Sequence, residues 1–151
     1  MKPLSKLMFA LLLCLTTAAV HSQTQNSSKP KIFAAFPNTI NCSVTEFSNA
    51  FAATEGQRLT LAFSDNFKFS GTVVSNIVKY SNLQSLVIKS DDANNTIFHL
   101  SRQTNPDNSI SFVGRIMNSN ASDGYEIKRD QAGVYKFEKI NAEIVRPECN
   151  L

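Results

Sequence analysis

Between Gln57 and Ile140 apolar and polar residues alternate with a period of two, in runs separated by clusters of Asn, Asp, Ser and Gly. That spacing predicts half-buried β-strands joined by turns. Leu59, Leu61 and Phe63 alternate with Arg58, Thr60 and Ala62. Phe67, Phe69, Gly71 and Val73 begin a second run that continues to Tyr80, and Gly71 predicts a bulge or sharp bend within it. Leu83–Lys89 and Thr96–Gln103 follow, then Ile110–Met117 with Ile110, Phe112, Gly114 and Ile116 on one face. Tyr125 and Ile127 alternate with Glu126 and Lys128, and Val134–Ile140 closes the set with Tyr135 and Phe137 facing inward. The expected fold is mainly β: an antiparallel meander of about seven strands forming a bent sheet or small barrel.

Ahead of the strands the period changes. Val44, Phe47, Ala50 and Phe51 share one face at helical spacing, with Ser43 as N-cap and Glu46 completing a capping-box pattern. Gly56 is a natural stop. One short N-terminal helix is therefore expected, packed on the sheet over one opening. Ile32, Phe33 and Phe36 supply an apolar anchor before it.

The first residues carry a different pattern. Lys2 and Lys6 precede an apolar or small-residue run from Leu7 to Val20, and Val20-His21-Ser22 offers small residues where a signal peptidase reads. Residues 1–22 read as a secretory signal peptide, 23–31 as a flexible polar tether and 32–151 as a single β-rich domain. The apolar run is too short for a membrane span, and no second one follows. The expected location is therefore exported, periplasmic or extracellular. In that compartment Cys42 and Cys149, an even pair once Cys14 leaves with the leader, are expected to form a disulfide. Asn26, Asn41, Asn94 and Asn120 head N-x-Ser/Thr sequons, glycan acceptors only in a eukaryotic secretory route.

Charge changes the picture little. Lys2 and Lys6 leave with the signal, so the net charge falls from +3 to +1. Lys128-Arg129 is the only adjacent basic pair, which gives nucleic-acid binding no electrostatic footing. Catalytic chemistry finds few candidates. His99, the one histidine after the leader, lies mid-strand on the face opposite Phe98 and Leu100, where a packed or surface role is expected. One histidine and two cysteines do not make a zinc site. The chain has 5 Gly and no Gly-rich phosphate loop, and it has no Trp for stacking on sugars. The meander itself nominates one cluster. Successive turns alternate between the two ends of the sheet, so 64–66, 90–95 and 118–123 share an end. They bring Asp65, Asp91, Asp92 and Asp123 to it, with Asn66, Asn94, Asn95, Asn118 and Asn120. Carboxylates and amide carbonyls are ligands for Ca²⁺ and hydrogen-bond sugars, and they are equally the ordinary formers of turns.

Leu59–Phe63 with Phe69–Val73 resembles the opening hairpin of SH3-like and Sm-type barrels over about fifteen residues. Phe67–Val74, Phe98–Arg102, Gly114–Ile116 and Tyr125–Lys128 together resemble small exported β-rich proteins of Bacteroidota-type bacteria. That resemblance implies a bacterial envelope location and no particular activity. Three functional readings follow. The first is a non-enzymatic exported module that binds or modulates a protein or saccharide. The second is a small hydrolase with a loop-borne carboxylate site, and the third is a structural subunit pairing through an exposed sheet edge.

Overall fold

The computed structural model describes residues 29–145. The expected leader, most of the tether, Cys149 and the tail beyond Val145 lie outside the described residues. Eight strands run in the order β1 (Thr39–Cys42), β2 (Arg58–Ser64), β3 (Phe67–Tyr80), β4 (Leu83–Ser90), β5 (Thr96–Thr104), β6 (Ile110–Asn118), β7 (Asp123–Arg129) and β8 (Tyr135–Asn141). Helix α1 (Val44–Ala50) lies between β1 and β2, and one turn of helix, α2 (Ala142–Val145), follows β8. None of these helices is long and apolar enough to cross a membrane.

Strands β2 to β8 form the expected antiparallel meander, each paired with the next in sequence. The period-two pattern makes this sheet, because it places one apolar side chain per rung on the inner face. Ile88 pairs with Phe98, Phe98 with Ile116, and Ile116 with Tyr125; all four side chains are fully buried. The eighth strand was not expected. Thr39–Cys42 adds to the far side of β8, with Ile40 opposite Phe137 and Cys42 opposite Tyr135. The sheet order is thus β1-β8-β7-β6-β5-β4-β3-β2, and its two end strands come close together in a nearly closed barrel.

Helix α1 plugs this barrel. Phe47 is fully buried against Phe63, Phe112, Tyr135 and Phe137, with ring centroids 5.5–6.0 Å apart. Edge and tilted ring contacts of this kind add to the energy of burial itself. Ser43 caps the helix by accepting from the Thr45 N–H at 3.2 Å. Glu46 does not close the reciprocal capping box; its carboxylate accepts the Ala62 N–H of end strand β2 at 3.1 Å. A donor at the open seam is satisfied in place of one at the helix start. The helix stops at Ala50, earlier than Gly56, which lies in a turn where the Gln57 N–H donates to Thr54 O. Asn76 then takes the carbonyls that follow the helix. Its amide donates to Phe51 O at 3.0 Å and Ala53 O at 2.7 Å. The same side chain accepts from Gln84, and Gln84 accepts from Arg102, whose guanidinium lies 5.1 Å from the Phe51 ring centroid. This polar chain lines one end of the barrel.

Gly71 is a point of close approach, not a bulge. A Cβ there would lie 2.4 Å from the Lys89 carbonyl oxygen of β4. The register slips of β3 against β4 fall further on, between Val73 and Ser75 and between Val78 and Tyr80.

Candidate functional site

The β6–β7 ladder is short. It holds three pairs, Arg115–Glu126, Ile116–Tyr125 and Met117–Gly124, and then ends. Beyond it β6 continues to Ile110, paired with β5 alone, while β7 continues to Arg129, paired with β8 alone. Three rings fill the interior where the strands part: Phe47, Phe112 and Tyr135, with centroids 5.5–5.9 Å apart. Tyr135 reaches across the gap from β8, and its phenol oxygen accepts the Phe112 N–H at 3.1 Å. A backbone donor that a neighbouring strand would have taken is satisfied by a side chain instead.

Outside this parting lies an open cleft of about 720 Å³, a size ordinary for ligand sites. Phe112, Ile127 and Tyr135 line it, with Val113, 62 % exposed, at its lip. Its rim is charged. Arg115 donates to Glu126 through Nη2 at 2.6 Å and Nε at 2.9 Å, and Lys128 pairs with the second oxygen of the same carboxylate. The hydrogen bond from Lys128, reinforced by Arg115, holds the Glu126 carboxyl below the usual carboxylate range. Arg129 stacks over the Tyr135 ring at 5.6 Å. His99 stands on the outer face beside Arg115, exposed, and partial burial lowers its pKa from the usual histidine value. Among the described residues no hydrogen bond orients the His99 ring, and the nearest carboxylate on its row, Glu126, is occupied by two cations. Among the described residues no hydrogen bond links His99 to Ser101 or Ser111, the hydroxyls that share the cleft with it.

The structure places the sequence-nominated acids differently. The turns 65–66, 91–95 and 119–122 do lie at one end of the meander, and the last two touch: the Ser119 N–H donates to Asn95 O at 3.4 Å, and Asn118 at the end of β6 donates to Asn94 O at 2.8 Å. The carboxylates, however, are used separately. Asp91 pairs with Arg58 at 2.7 Å and accepts from the Thr72 hydroxyl at 3.1 Å. Asp123 is 3 % exposed, and its two oxygens accept the N–H groups of Ile32 and Phe33 at 2.9 and 3.0 Å. Asp65 and Asp92 are exposed on their turns. Among the described residues no three His, Cys, Asp or Glu side chains come together as a metal site. Asn95 and Asn108 both hold a left-handed φ, near 62–63°, the turn-forming use of this residue. Cys42 is a buried free thiol that donates to Ile40 O at 3.4 Å, and its expected partner Cys149 is outside the described residues.

A larger cleft, about 890 Å³, lies between the N-terminal strap 29–33 and the barrel. Much of its polar wall is engaged in holding the strap down. Lys29 Nζ donates to Ser119 O, the Lys29 N–H to Glu143, and the Ser122 N–H to Pro30 O. The smaller cleft is the better candidate because it opens on unpaired strand edges. Sequence reading gave no site role to Arg115, Glu126, Lys128 and Arg129, and placed Tyr135 facing inward, where the structure has it. One signal was available: Glu126 and Lys128 fall on one outer face and Arg115 on the expected neighbouring strand. The parting of the strands left no mark in the alternation.

No protein-family model, no curated protein sequence and no solved structure matches this chain.

Proposed function

We propose that this chain is an exported, non-enzymatic binding module that takes its ligand in the cleft between β6 and β7. The observation that carries the reading is the early end of the β6–β7 ladder at Arg115 and Glu126, which leaves an open, aromatic-floored groove. The leader-like pattern of residues 1–22 supports export, and the even pair Cys42 and Cys149 supports a disulfide bracing β1 to the C-terminus in that compartment. Occupation of Glu126 by Arg115 and Lys128 favours recognition over hydrolysis, since that carboxylate has no free proton to give near neutral pH.

The test compares what the mature protein and a Val113→Glu variant retain from the native exported fraction. Val113 is exposed, so the substitution leaves the fold intact while placing a charge in the groove. Partners retained by the parent and lost by the variant support the reading. Equal retention by both overturns it.

A second reading, a subunit that pairs through a sheet edge, has one observation in its favour. β3 runs on to Tyr80, beyond the reach of β2, whose ladder ends with Arg58 opposite Thr72. Val78 and Tyr80 are 70 % and 69 % exposed on that projection. Lys79 between them is the kind of charge that discourages edge pairing. A concentration-dependent dimer in sedimentation that Val78→Lys dissolves would establish this second reading.

A further inference from the structure

We propose that the β6–β7 cleft is a strand-addition site: an extended, acidic segment of another polypeptide enters it and pairs with the open edge of β6. The proposal rests on the cleft reading above and names its ligand class.

From Ile110 to Val113, β6 is paired with β5 and with no strand on its other side. The Phe112 N–H points to that open side, because its acceptor is the phenol of Tyr135 on β8. Backbone groups on a strand alternate in direction, so the N–H and C=O of Ile110 and the N–H of Gly114 face the same way, while the Gly114 carbonyl closes the last rung of the β6–β7 ladder. Four residues at about 3.4 Å each give an edge roughly 14 Å long. An edge with unpaired donors and acceptors is a template for another strand, and peptide recognition uses it widely. Gly114 suits such an approach. It presents no side chain on the edge, and it must be glycine, because a Cβ would lie 2.5 Å from His99 O.

The charge of the cleft selects an acidic strand. Arg115, Lys128 and Arg129 line the cleft with a single carboxylate, Glu126. Glu126 serves Arg115 and Lys128 together. Arg129 contacts the Tyr135 ring and the Gly133 carbonyl; it makes no direct ion pair among the described residues, and the acid within reach of its charge is Asp107, on the β5–β6 turn. Acidic side chains on an incoming strand would complete this rim, while a basic strand would be repelled. Val113 and Met117 on the outer face of β6 offer apolar contacts to the alternate side chains.

The phenol of Tyr135 then has a defined role. It holds the place of the first carbonyl of the incoming strand, keeping the Phe112 N–H satisfied while the site is empty. A strand that pairs with Phe112 displaces it.

The test uses the mature protein and a fluorescein-labelled octapeptide of alternating Thr and Glu, followed by fluorescence anisotropy. Two further peptides carry N-methyl groups on the Thr or on the Glu amides, and a fourth replaces Glu with Lys. An added strand bonds through alternate residues only, so one methylated peptide should bind like the parent. The other should lose about tenfold or more in affinity, the worth of two or three net hydrogen bonds. The Lys peptide should bind more weakly than the parent, and Val113→Glu should weaken the acidic peptide. Equal binding of both methylated peptides shows that charge alone attracts them and overturns strand addition. So does absence of binding by all the peptides. If the parent still retains a native partner that Val113→Glu loses, strand addition falls and the cleft reading stands. Equal retention by the two proteins removes both.

Discussion

The phenol oxygen of Tyr135 and the backbone N–H of Phe112 are joined by a 3.1 Å hydrogen bond across a gap where two strands of the barrel part. Twenty-three residues separate them, and Tyr135 belongs to β8, which does not pair with β6. The bond explains how a nearly closed sheet tolerates an opening. The donor exposed by the parting is met from inside the barrel, and the ring that meets it packs against Phe47 and Phe112.

Tyr135→Phe should therefore destabilise the protein with its ring packing preserved. Removing the acceptor leaves a buried donor unsatisfied, which costs about 1–3 kcal/mol. The lower end is expected, because the adjacent cleft admits water. Urea denaturation with an unchanged m-value measures it. Stability equal to the parent would show that the bond contributes nothing net.

A second prediction concerns Asp123. Its carboxylate accepts two backbone N–H groups of the N-terminal strap, from Ile32 and Phe33, in a site almost closed to solvent. Asp123→Asn keeps the shape, removes the charge and turns an NH₂ toward a donor. Hydrogen bonds to a charged group contribute about 1.5–3 kcal/mol net each, and the Asn oxygen still accepts one of the two, so a loss of about 2 kcal/mol is expected. Limited proteolysis should then cut near Lys29 and Lys31 in the variant before the barrel is attacked. A strap as resistant as the parent's would show that Ser122, which binds Pro30 O, and Lys29 hold it alone.

The contrast between Asp123 and Asp91 shows how far alternation reaches. Strands β2 to β8 were legible because each carries its own apolar face, and a meander pairs neighbours in sequence. The common end of turns 64–66, 90–95 and 118–123 followed from that topology. β1 was not legible. Thr39-Ile40-Asn41-Cys42 is four residues long, contains an Asn, and owes its existence to a partner, β8, nearly one hundred residues away. The fate of each aspartate also lies in distant partners: Arg58 for Asp91, and the strap N–H groups for Asp123. Turn composition gathered them at one end and could not say which faced inward. The cleft was hidden for a similar reason. Phe112-in and Val113-out reads as ordinary strand, and only the third dimension shows that the neighbouring strand has left. Asn76 was a further overlooked signal, an amide in the middle of a long strand that bonds the carbonyls behind α1.

Gly71 should prove intolerant of any side chain. A Cβ would meet the Lys89 carbonyl at 2.4 Å and the Ile88 Cγ2 at 2.8 Å, so the β3–β4 pair would have to move apart. Overpacking of this kind costs about 1–3 kcal/mol. Gly56→Ala is the control: it has no neighbour within 4 Å but a φ of +81°, so its cost is backbone strain of about 1–2 kcal/mol. Thermal unfolding of the pair should place Gly71→Ala lower. The reverse order would show that the hairpin yields easily.

Cys42 gives the reduced protein an alkaline weakness. Burial pushes its thiol from 9.0 up to about 12 in the folded state, against a smaller opposing effect of a bond from the Phe137 backbone. The unfolded chain ionises first, so the folded state holds the extra proton above pH 9. Stability is fully present below that pH and falls as pH rises toward 12. Tyr125, raised from 10.0 to about 12 by burial and by the charge of Asp123, adds to the loss in the upper part of the window. Denaturant midpoints of the reduced protein should therefore hold steady to about pH 9 and decline beyond it. Cys42→Ala, which titrates nothing, should delay the onset to the range of Tyr125. The same burial should keep Cys42 unreactive toward a thiol reagent at neutral pH until denaturant is added. Immediate labelling of the reduced, folded protein, or identical pH profiles for parent and Cys42→Ala, would show that the thiol is open to solvent and uncoupled from folding.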